Sequence, residues 1–151
     1  MIETGPLRPQ DRAAWEVLAR GYKTFYRTTV PDAGYEATWR RLLGDAGVYG
    51  VGARQDGELV GITHYLFHAT IWDPDACYLQ DLFVAEATRG QGAARALIDH
   101  VARAARDRGA SRLYWTTQED NARARALYDK VARFNGFIRY DYSLDQPGPS
   151  A

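Results

Sequence analysis

The 151-residue chain carries 19 basic and 19 acidic residues, and this balance gives no electrostatic reason to expect nucleic acid or an anionic membrane as its partner. Hydrophobic residues make up 46% of the chain and aromatic residues 13%, which is typical of one compact globular domain rather than of a disordered segment. Cys77 is the only cysteine, which excludes an internal disulfide and a cysteine zinc cluster, and we expect no metal site.

The first half of the chain predicts two helices followed by a β-hairpin. A short strand over 2–8 leads through Pro9 into a helix over 10–26, and "VPDAGYEATWRRLLG" holds a turn and a second helix that Gly44 ends. The runs "VYGVGAR" and "LVGITHYLF" alternate as strands do, and Asp56-Gly57 between them suits a tight hairpin turn.

The second half predicts a β-α-β-α-β order. The segment "CYLQDLFV" is predicted to be a strand. The helix predicted after it, over 91–108, carries apolar residues at helical spacing, and Gly109 is placed to cap its end. The strand "RLYWTT", the helix "NARARALYDKVAR" and a last strand "GFIRYDYSL" follow. This order predicts an α/β fold with a mixed sheet, in one domain over 1–144, and we expect 145–151 to be a disordered tail. No apolar run has the length of a signal-peptide core or a membrane span, so we expect a soluble cytoplasmic protein.

The corner between the strand "CYLQDLFV" and the next helix has the features of an anion site. Free backbone N–H groups and the positive end of the helix dipole meet there, and Gly90 and Gly92 let the backbone approach a phosphate. Arg89 adds a positive charge, and Thr88 with Gln91 has the spacing of a capping box. The corner lacks the Gly-Lys-Ser/Thr of a Walker A loop and the third glycine of a dinucleotide fingerprint. On these residues alone, a glycine turn without a ligand is an equal alternative.

Four segments in order carry a resemblance to a known family. "TRGQGAARALI" resembles the pyrophosphate-binding motif of the GNAT family of N-acetyltransferases, with Arg89, Gly92 and Ala94 at its three fixed positions. "YLQDLFV", "RLYWTT" and "NARARALYDKV" are similar to the family's central strand, next strand and following helix. The combined string is most similar to the histone/polyamine acetyltransferase branch. The resemblance implies a mixed, mostly antiparallel sheet flanked by helices, with two splayed parallel strands at its centre.

The resemblance also implies acetyl-CoA (coenzyme A) as the cofactor. Backbone groups on the central strand would meet the acetyl and pantetheine groups, and the N–H of Val84 would polarise the thioester carbonyl as an oxyanion hole does. The corner would hold the pyrophosphate, and Asn121 would hydrogen-bond the cofactor arm. The residues expected to bind the cofactor are Leu82, Phe83, Val84, Arg89, Gly90, Gln91, Gly92, Ala93, Ala94, Arg95 and Asn121.

The reaction needs an acid and a base, and the sequence offers a candidate only for the acid. In the family, a tyrosine at the position of Tyr128 protonates the departing thiolate; a core tyrosine bonded to a backbone carbonyl is the alternative. Several relatives use a strand glutamate as the base, directly or through water, where this chain has Gln80, which cannot accept a proton. Adjacent Asp81 is expected on the other face if the strand is regular. Gln80 would then contact the acceptor.

The acceptor pocket is expected between the first two helices and the loop before the central strand. Gln80, Tyr26 and Trp72 are the candidates to contact a cationic amine, although ordinary packing explains such aromatics equally well. Tyr22, Tyr35 and the acids Asp32, Glu36, Asp73 and Asp75 are further candidates.

The function that the resemblance implies is transfer of an acetyl group from acetyl-CoA to a primary amine of a polyamine-like or amino-acid-like small molecule, by direct attack in a ternary complex. Two alternatives remain open at this point: a protein lysine or N-terminal acetyltransferase, and an acyl-CoA-binding sensor without catalysis. Homodimerisation is common among relatives, and the last predicted strand is where two copies would pair.

Overall fold

The computed structural model describes residues 1–72 and 74–145, so Asp73 and most of the expected tail lie outside the described residues. The described residues fall into two compact units, one that ends at Thr116 and one that begins at Thr117. A single domain over 1–144 remains a prediction. None of the helices in these described ranges is long and apolar enough to cross a membrane. The elements of the first unit are β1 (Ile2–Pro6), a 3-10 turn (Pro9–Asp11), α1 (Arg12–Phe25), α2 (Asp32–Leu43), β2 (Val48–Gln55), β3 (Glu58–His68), β4 (Ala76–Val84), a second 3-10 turn (Glu86–Thr88), α3 (Ala93–Arg108) and β5 (Leu113–Tyr114).

The first unit is built on a mixed five-stranded sheet in the order β1-β2-β3-β4-β5. The first four strands are antiparallel, and β5 runs parallel to β4, which confirms the predicted fold class. The described pairs between β4 and β5 are Cys77 with Leu113 and Tyr78 with Tyr114. β4 continues to Val84, so pairing with β5 covers only its first part, as expected for two strands that splay apart.

A β-bulge interrupts β4 in the middle of the sheet. His64 of β3 pairs with Asp81, but the next residue, Tyr65, pairs with Leu79, which leaves Gln80 as the extra residue. A bulge breaks the alternation of side chains, so two successive residues reach the same face. The expectation that Asp81 faces away from Gln80 assumed a regular strand, and it is wrong for that reason.

Helices cover both faces of the sheet. Trp15, Leu18 and Trp39 of α1 and α2 form one buried cluster with Ile62 of β3. On the opposite face, α3 packs so closely that a Cβ on Gly61 would lie 3.2 Å from a Leu97 methyl group and 3.3 Å from the Phe83 carbonyl oxygen. A side chain at this position would require Leu97 or the backbone of β4 to shift by a few tenths of an ångström. The apolar stripe predicted for α3 is buried as expected, and Gly109 ends the helix with a φ of 75°.

The second unit contains α4 (Ala122–Val131), which lies within the helix predicted there. The strand predicted at 136–144 is not formed: the described residues there have no strand conformation, and Ile138, Tyr140 and Leu144 are exposed. Their alternation is that of a strand, but a strand also needs a partner edge to pair its backbone groups, and the pattern alone does not supply one.

Candidate active site

A cavity of about 170 Å³ opens among α1, α2, β3 and β4 in the first unit. Its apolar walls include Trp15, Ile62 and Phe83. The cavity is lined by both Gln80 and Asp81, which follow each other at the bulge. Adjacent residues of one strand therefore supply two polar groups to one small space.

Asp81 is held in the cavity by neutral hydrogen-bond donors. His64 Nδ1 lies 2.8 Å from Asp81 Oδ2, and the Tyr22 hydroxyl acts as a second, weaker donor. Burial by itself would raise the pKa of Asp81, but the interactions with His64 and Tyr22 and the charge of Lys23 outweigh burial, so the pKa is lowered. Asp81 is a carboxylate at neutral pH.

Trp15 fixes the protonation state of His64. The Trp15 indole nitrogen lies 2.9 Å from His64 Nε2. An indole N–H can only donate, so Nε2 accepts, and the ring proton must sit on Nδ1, from which it is donated to Asp81. His64 is thus a neutral imidazole with both nitrogens in use, and it is not available as a general base in this arrangement.

Tyr22 and Lys23 complete the polar side of the cavity. Burial, followed by the charge of Asp81, raises the pKa of Tyr22, so its hydroxyl keeps the proton that it directs at the carboxylate. Lys23 Nζ lies 5.6 Å from the centroid of the Tyr22 ring, within cation–π range. The cavity therefore contains one negative and one positive side chain.

The glycine corner has the conformation that an anion site needs. Gly90 and Gly92 adopt φ angles of 82° and 92°, and a Cβ on either would meet no protein atom within 4 Å. Gly92 is the N-cap of α3; no described side chain caps the helix, and its first turn carries no acidic residue. The space beside the glycines is therefore open and faced by backbone donors, which fits a pyrophosphate. Arg89 Nε donates to the Val84 carbonyl oxygen at 3.2 Å, so this arginine lies beside the end of β4.

The predicted capping box is wrong. Thr88 Oγ1 donates to the carbonyl oxygen of Ala85, and Gln91 Oε1 accepts from Gln55 at 2.8 Å. The helix begins at Ala93 rather than at Gln91, because the positive φ of Gly92 separates the loop from the helix. At the end of the corner, Ala93 is buried and Arg95 lies 3.6 Å from Asp99.

Asn121 and Tyr128 both belong to the second unit. Asn121 is the N-cap of α4, and its Oδ1 accepts from the Ala124 amide at 3.3 Å. Tyr128 is half-buried in the second turn of the same helix. Within its unit, the structure confirms the helix that carries Tyr128; the roles of the two residues remain predictions.

The remaining acceptor candidates lie in different places. Tyr26 follows α1, and its ring centroid lies 4.8 Å from that of Tyr22 at an interplanar angle of 51°, but it is not among the described residues that line the cavity. Trp72 is 92% exposed in the β3–β4 connection. Asp32 and Glu36 form ion pairs with arginines on the surfaces of α1 and α2.

Several cavity residues were not singled out by the sequence analysis, and the ones that matter for its polar contacts are Trp15, Lys23 and His64. Trp15 and Lys23 lie on the helix that was expected to border the pocket, but their orientation depends on how α1 packs. The sequence did place His64 beside the pocket, since it lies on the strand that precedes the central strand. Its contact with Asp81 depends on the bulge, and a bulge has no sequence signature here.

No group of three or more His, Cys, Asp or Glu residues that could hold a metal ion occurs in the ranges 1–72 and 74–145. Cys77 is fully buried, and burial raises the pKa of its thiol to about 11, so it is a packing residue and not a nucleophile.

Comparison with known proteins adds independent findings. The model of the acetyltransferase (GNAT) family matches residues 15–134. A D-amino-acid N-acetyltransferase of Saccharomyces cerevisiae is 36% identical over 131 residues, which cover 83% of this chain and 81% of that protein. Among solved structures, a ribosomal-protein-alanine N-acetyltransferase from Brucella melitensis superposes with a TM-score of 0.76 at 24% identity, and covers 95% of this chain and 100% of that one. The aminoglycoside N-acetyltransferase AAC(6')-Iy in complex with CoA gives a TM-score of 0.84 at 16% identity, with 95% of each chain covered.

These names describe three different acceptors, and at such identities the two solved structures establish the fold alone. The match of the family model over most of the chain is the finding on which membership rests.

Proposed function

The chain belongs to the GNAT family of acetyltransferases and is an acyltransferase, and from that premise we propose that it moves the acetyl group of acetyl-CoA to a primary amine of a small molecule. The observation that carries the proposal is the small cavity at the bulge of β4, where a carboxylate faces an enclosed space large enough for a small amine. The attack is direct, in a ternary complex, because the buried Cys77 thiol offers no covalent alternative.

Acetyl-CoA supplies an acetyl group activated as a thioester. The corner from Arg89 to Arg95 binds the pyrophosphate through the open backbone donors at the start of α3 and through the two arginines. The residues Leu82, Phe83 and Val84 lie on the part of β4 that β5 does not pair, so their backbone groups are placed to bind an extended, amide-rich arm. The N–H of Val84 polarises the carbonyl, and Asn121, whose Oδ1 caps α4, uses its side-chain nitrogen to donate to the same arm.

The proton balance involves the amine and Tyr128. The acceptor ammonium loses one proton to water, the neutral nitrogen forms a bond to the acetyl carbon, and the nitrogen gives its second proton to solvent as the carbon–sulfur bond breaks and the amide forms. Tyr128 Oη donates its proton to the departing sulfur and regains one from solvent. Gln80, Tyr26 and Trp72 contact the acceptor; of these, Gln80 has the strongest support because it lines the cavity.

The first experiment measures release of the coenzyme A thiol from acetyl-CoA with polyamines, amino acids, aminoglycosides and lysine peptides, against a reaction without amine. Amine-dependent release by small molecules supports the proposal. Preference for the peptides would favour a protein acetyltransferase. Tight binding of CoA without any amine-dependent release would favour a sensor.

Tyr128→Phe tests the proposed acid. We expect kcat to fall by about 100-fold or more, since general acids contribute about 10²–10⁴ in rate, while the Kd for CoA measured by calorimetry stays unchanged. Tyr140→Phe is the matched control, because Tyr140 is 87% exposed in the same unit. A Tyr128→Phe enzyme with wild-type kcat would remove Tyr128 from the mechanism.

We also propose that two copies of the chain associate through 136–144. Ile138, Tyr140 and Leu144 are exposed at alternate positions, a pattern that becomes favourable when a second strand pairs with it. Ile138→Lys should then dissociate the dimer in sedimentation experiments at micromolar concentration. A wild-type chain that sediments as a monomer at that concentration would contradict the proposal.

The remaining proposals concern partners and location. The zero net charge supports a small-molecule partner and gives no support to nucleic acid or an anionic membrane. We place the protein in the cytoplasm, and cell fractionation tests this: recovery with membranes or in the medium would contradict it.

A further inference from the structure

Building on the proposed acetyl transfer, we infer that the cavity selects acceptors in which an anionic group accompanies the amine. Asp81 binds the ammonium, and Lys23 binds the anionic group, most simply a carboxylate. The chemical class is therefore a small zwitterion such as a free amino acid. The residues that make the choice, Asp81, Lys23 and the two that hold Asp81, all lie in the first unit.

Asp81 has the charge and the free capacity to bind an ammonium. A carboxylate can accept about four hydrogen bonds, and the described donors to it are His64, whose Nδ1 lies 2.8 Å from Oδ2, and Tyr22. Trp15 keeps His64 neutral, so the negative charge is not cancelled by the group that holds it. A half-enclosed carboxylate without a contacting cation is costly, and an ammonium with three donors relieves that cost.

Lys23 provides the opposite charge at a distance from Asp81. Lys23 lines the same cavity, and the described partner of its ammonium is the Tyr22 ring, whose centroid lies 5.6 Å from Nζ. Asp81 senses the positive charge of Lys23, but no ion pair is described between them. Two opposite charges in one cavity that do not pair with each other leave room for a ligand that pairs with both.

The size of the cavity limits what this ligand can be. At about 170 Å³ it is close to an engineered cavity of about 150 Å³ that holds benzene. The rings of Trp15, Tyr35 and Phe83 line it, so an apolar side chain between or beside the two charged groups is accommodated. A molecule of amino-acid size fits these dimensions.

The test compares leucine, as each enantiomer, with isoamylamine, which is leucine without its carboxylate. With wild-type enzyme and acetyl-CoA, we expect kcat/KM for one enantiomer of leucine to exceed that for isoamylamine by about tenfold or more, because the carboxylate gains a charge-assisted contact. Lys23→Gln should raise the KM for leucine by a similar factor, so that the ratio of kcat/KM for leucine to kcat/KM for isoamylamine falls to near one. Lys23→Arg should restore the preference, and Asp81→Asn should raise the KM for both acceptors.

Lys130→Gln is the matched control, since Lys130 is the other lysine of the chain and is exposed on α4. Equal kcat/KM for leucine and isoamylamine, or a Lys23→Gln enzyme that keeps the leucine preference, would overturn the inference and leave the acetyltransferase proposal intact.

If neither compound is acetylated above the rate without amine, the proposed activity on such acceptors fails. The selection of zwitterions is then tested separately, by measuring the binding of leucine and isoamylamine. Calorimetric titration of the wild-type protein should then show tighter binding of leucine than of isoamylamine, with the difference lost in Lys23→Gln. Equal or undetectable binding of both would overturn it.

Discussion

Replacing Trp15 with phenylalanine removes the hydrogen bond that fixes the proton on His64. Trp15 is 1% exposed, and its indole nitrogen donates to His64 Nε2 at 2.9 Å. Phenylalanine cannot donate, so the part-buried imidazole nitrogen loses its partner. An unsatisfied buried acceptor costs about 1–3 kcal/mol, and the smaller ring adds a packing loss on top of that.

Trp39→Phe isolates the packing loss. The Trp39 ring lies 5.1 Å from that of Trp15, is 6% exposed, and is contacted by the same Arg12 guanidinium. The two substitutions delete the same atoms from neighbouring sites, but only Trp15 donates to a described buried acceptor. We therefore expect Trp15→Phe to lower the free energy of unfolding by about 1–3 kcal/mol more than Trp39→Phe does.

Urea denaturation of both variants at neutral pH measures this difference. For a chain of this length, about 1 kcal/mol corresponds to roughly 2–4 °C in Tm, so thermal unfolding should show the same order. The ¹⁵N shifts of the His64 ring supply a second readout, because the proton should sit on Nδ1 in wild-type protein. Equal destabilisation by the two substitutions, or a proton on Nε2, would refute the assigned hydrogen bond.

Three further predictions follow from individual residues. Because burial raises the pKa of the Cys77 thiol to about 11, the folded protein should not react with an aromatic disulfide reagent at pH 8 until it is unfolded; fast reaction of native protein would contradict its burial. Gly92→Ala and Gly109→Ala both force a side chain into positive φ, at a cost of about 1–2 kcal/mol each. Only Gly92→Ala should weaken CoA binding in calorimetry. Equal losses of affinity in the two variants would contradict the assignment of the glycine corner as the pyrophosphate site. The folded-state pKa of Asp81 is lowered, so its contribution to stability is present above the ordinary pKa of 3.8 and is lost as pH falls through the folded-state pKa. Between pH 6 and 2.5, the urea midpoint of Asp81→Asn should therefore fall less steeply than that of the wild-type protein. Parallel curves for the two proteins would exclude this linkage.

Features set by local chemistry were predictable from the sequence. The turn at Asp56-Gly57 forms with φ angles of 52° and 83°, as a two-residue hairpin between β2 and β3 requires. Gly109 ends α3 because a left-handed residue closes a helix, and the buried side of α3 follows from its apolar spacing. In each case the residues that decide the structure are neighbours in the chain.

Features that depend on distant partners were not predictable. Nothing in "CYLQDLFV" marks Gln80 as an extra residue, since the bulge arises from its pairing with β3. The alternation in "GFIRYDYSL" is that of a strand, but strand formation depends on an edge to pair with. The polar groups of the cavity were identified only in part for the same reason. His64 lies on β3 and Asp81 on β4, so their contact depends on how the two strands pair.

The charges of the cavity bear on which amines it accepts. Of the acids considered as amine contacts, Asp32 and Glu36 are engaged by arginines on the helix surfaces, whereas Asp81 faces the cavity together with Lys23. A polyamine bound through one ammonium at Asp81 would bring a second positive charge towards Lys23. At separations of roughly 4–8 Å and an effective dielectric constant near 20, that repulsion amounts to about 2–4 kcal/mol. The same geometry turns the interaction into an attraction of similar size when the second group is a carboxylate. If the cavity binds the acceptor as proposed, its one fixed charge of each sign discriminates between a diamine and an amino acid by the sign of a single distal group, and we expect Lys23→Glu to reverse that preference in the same kinetic assay.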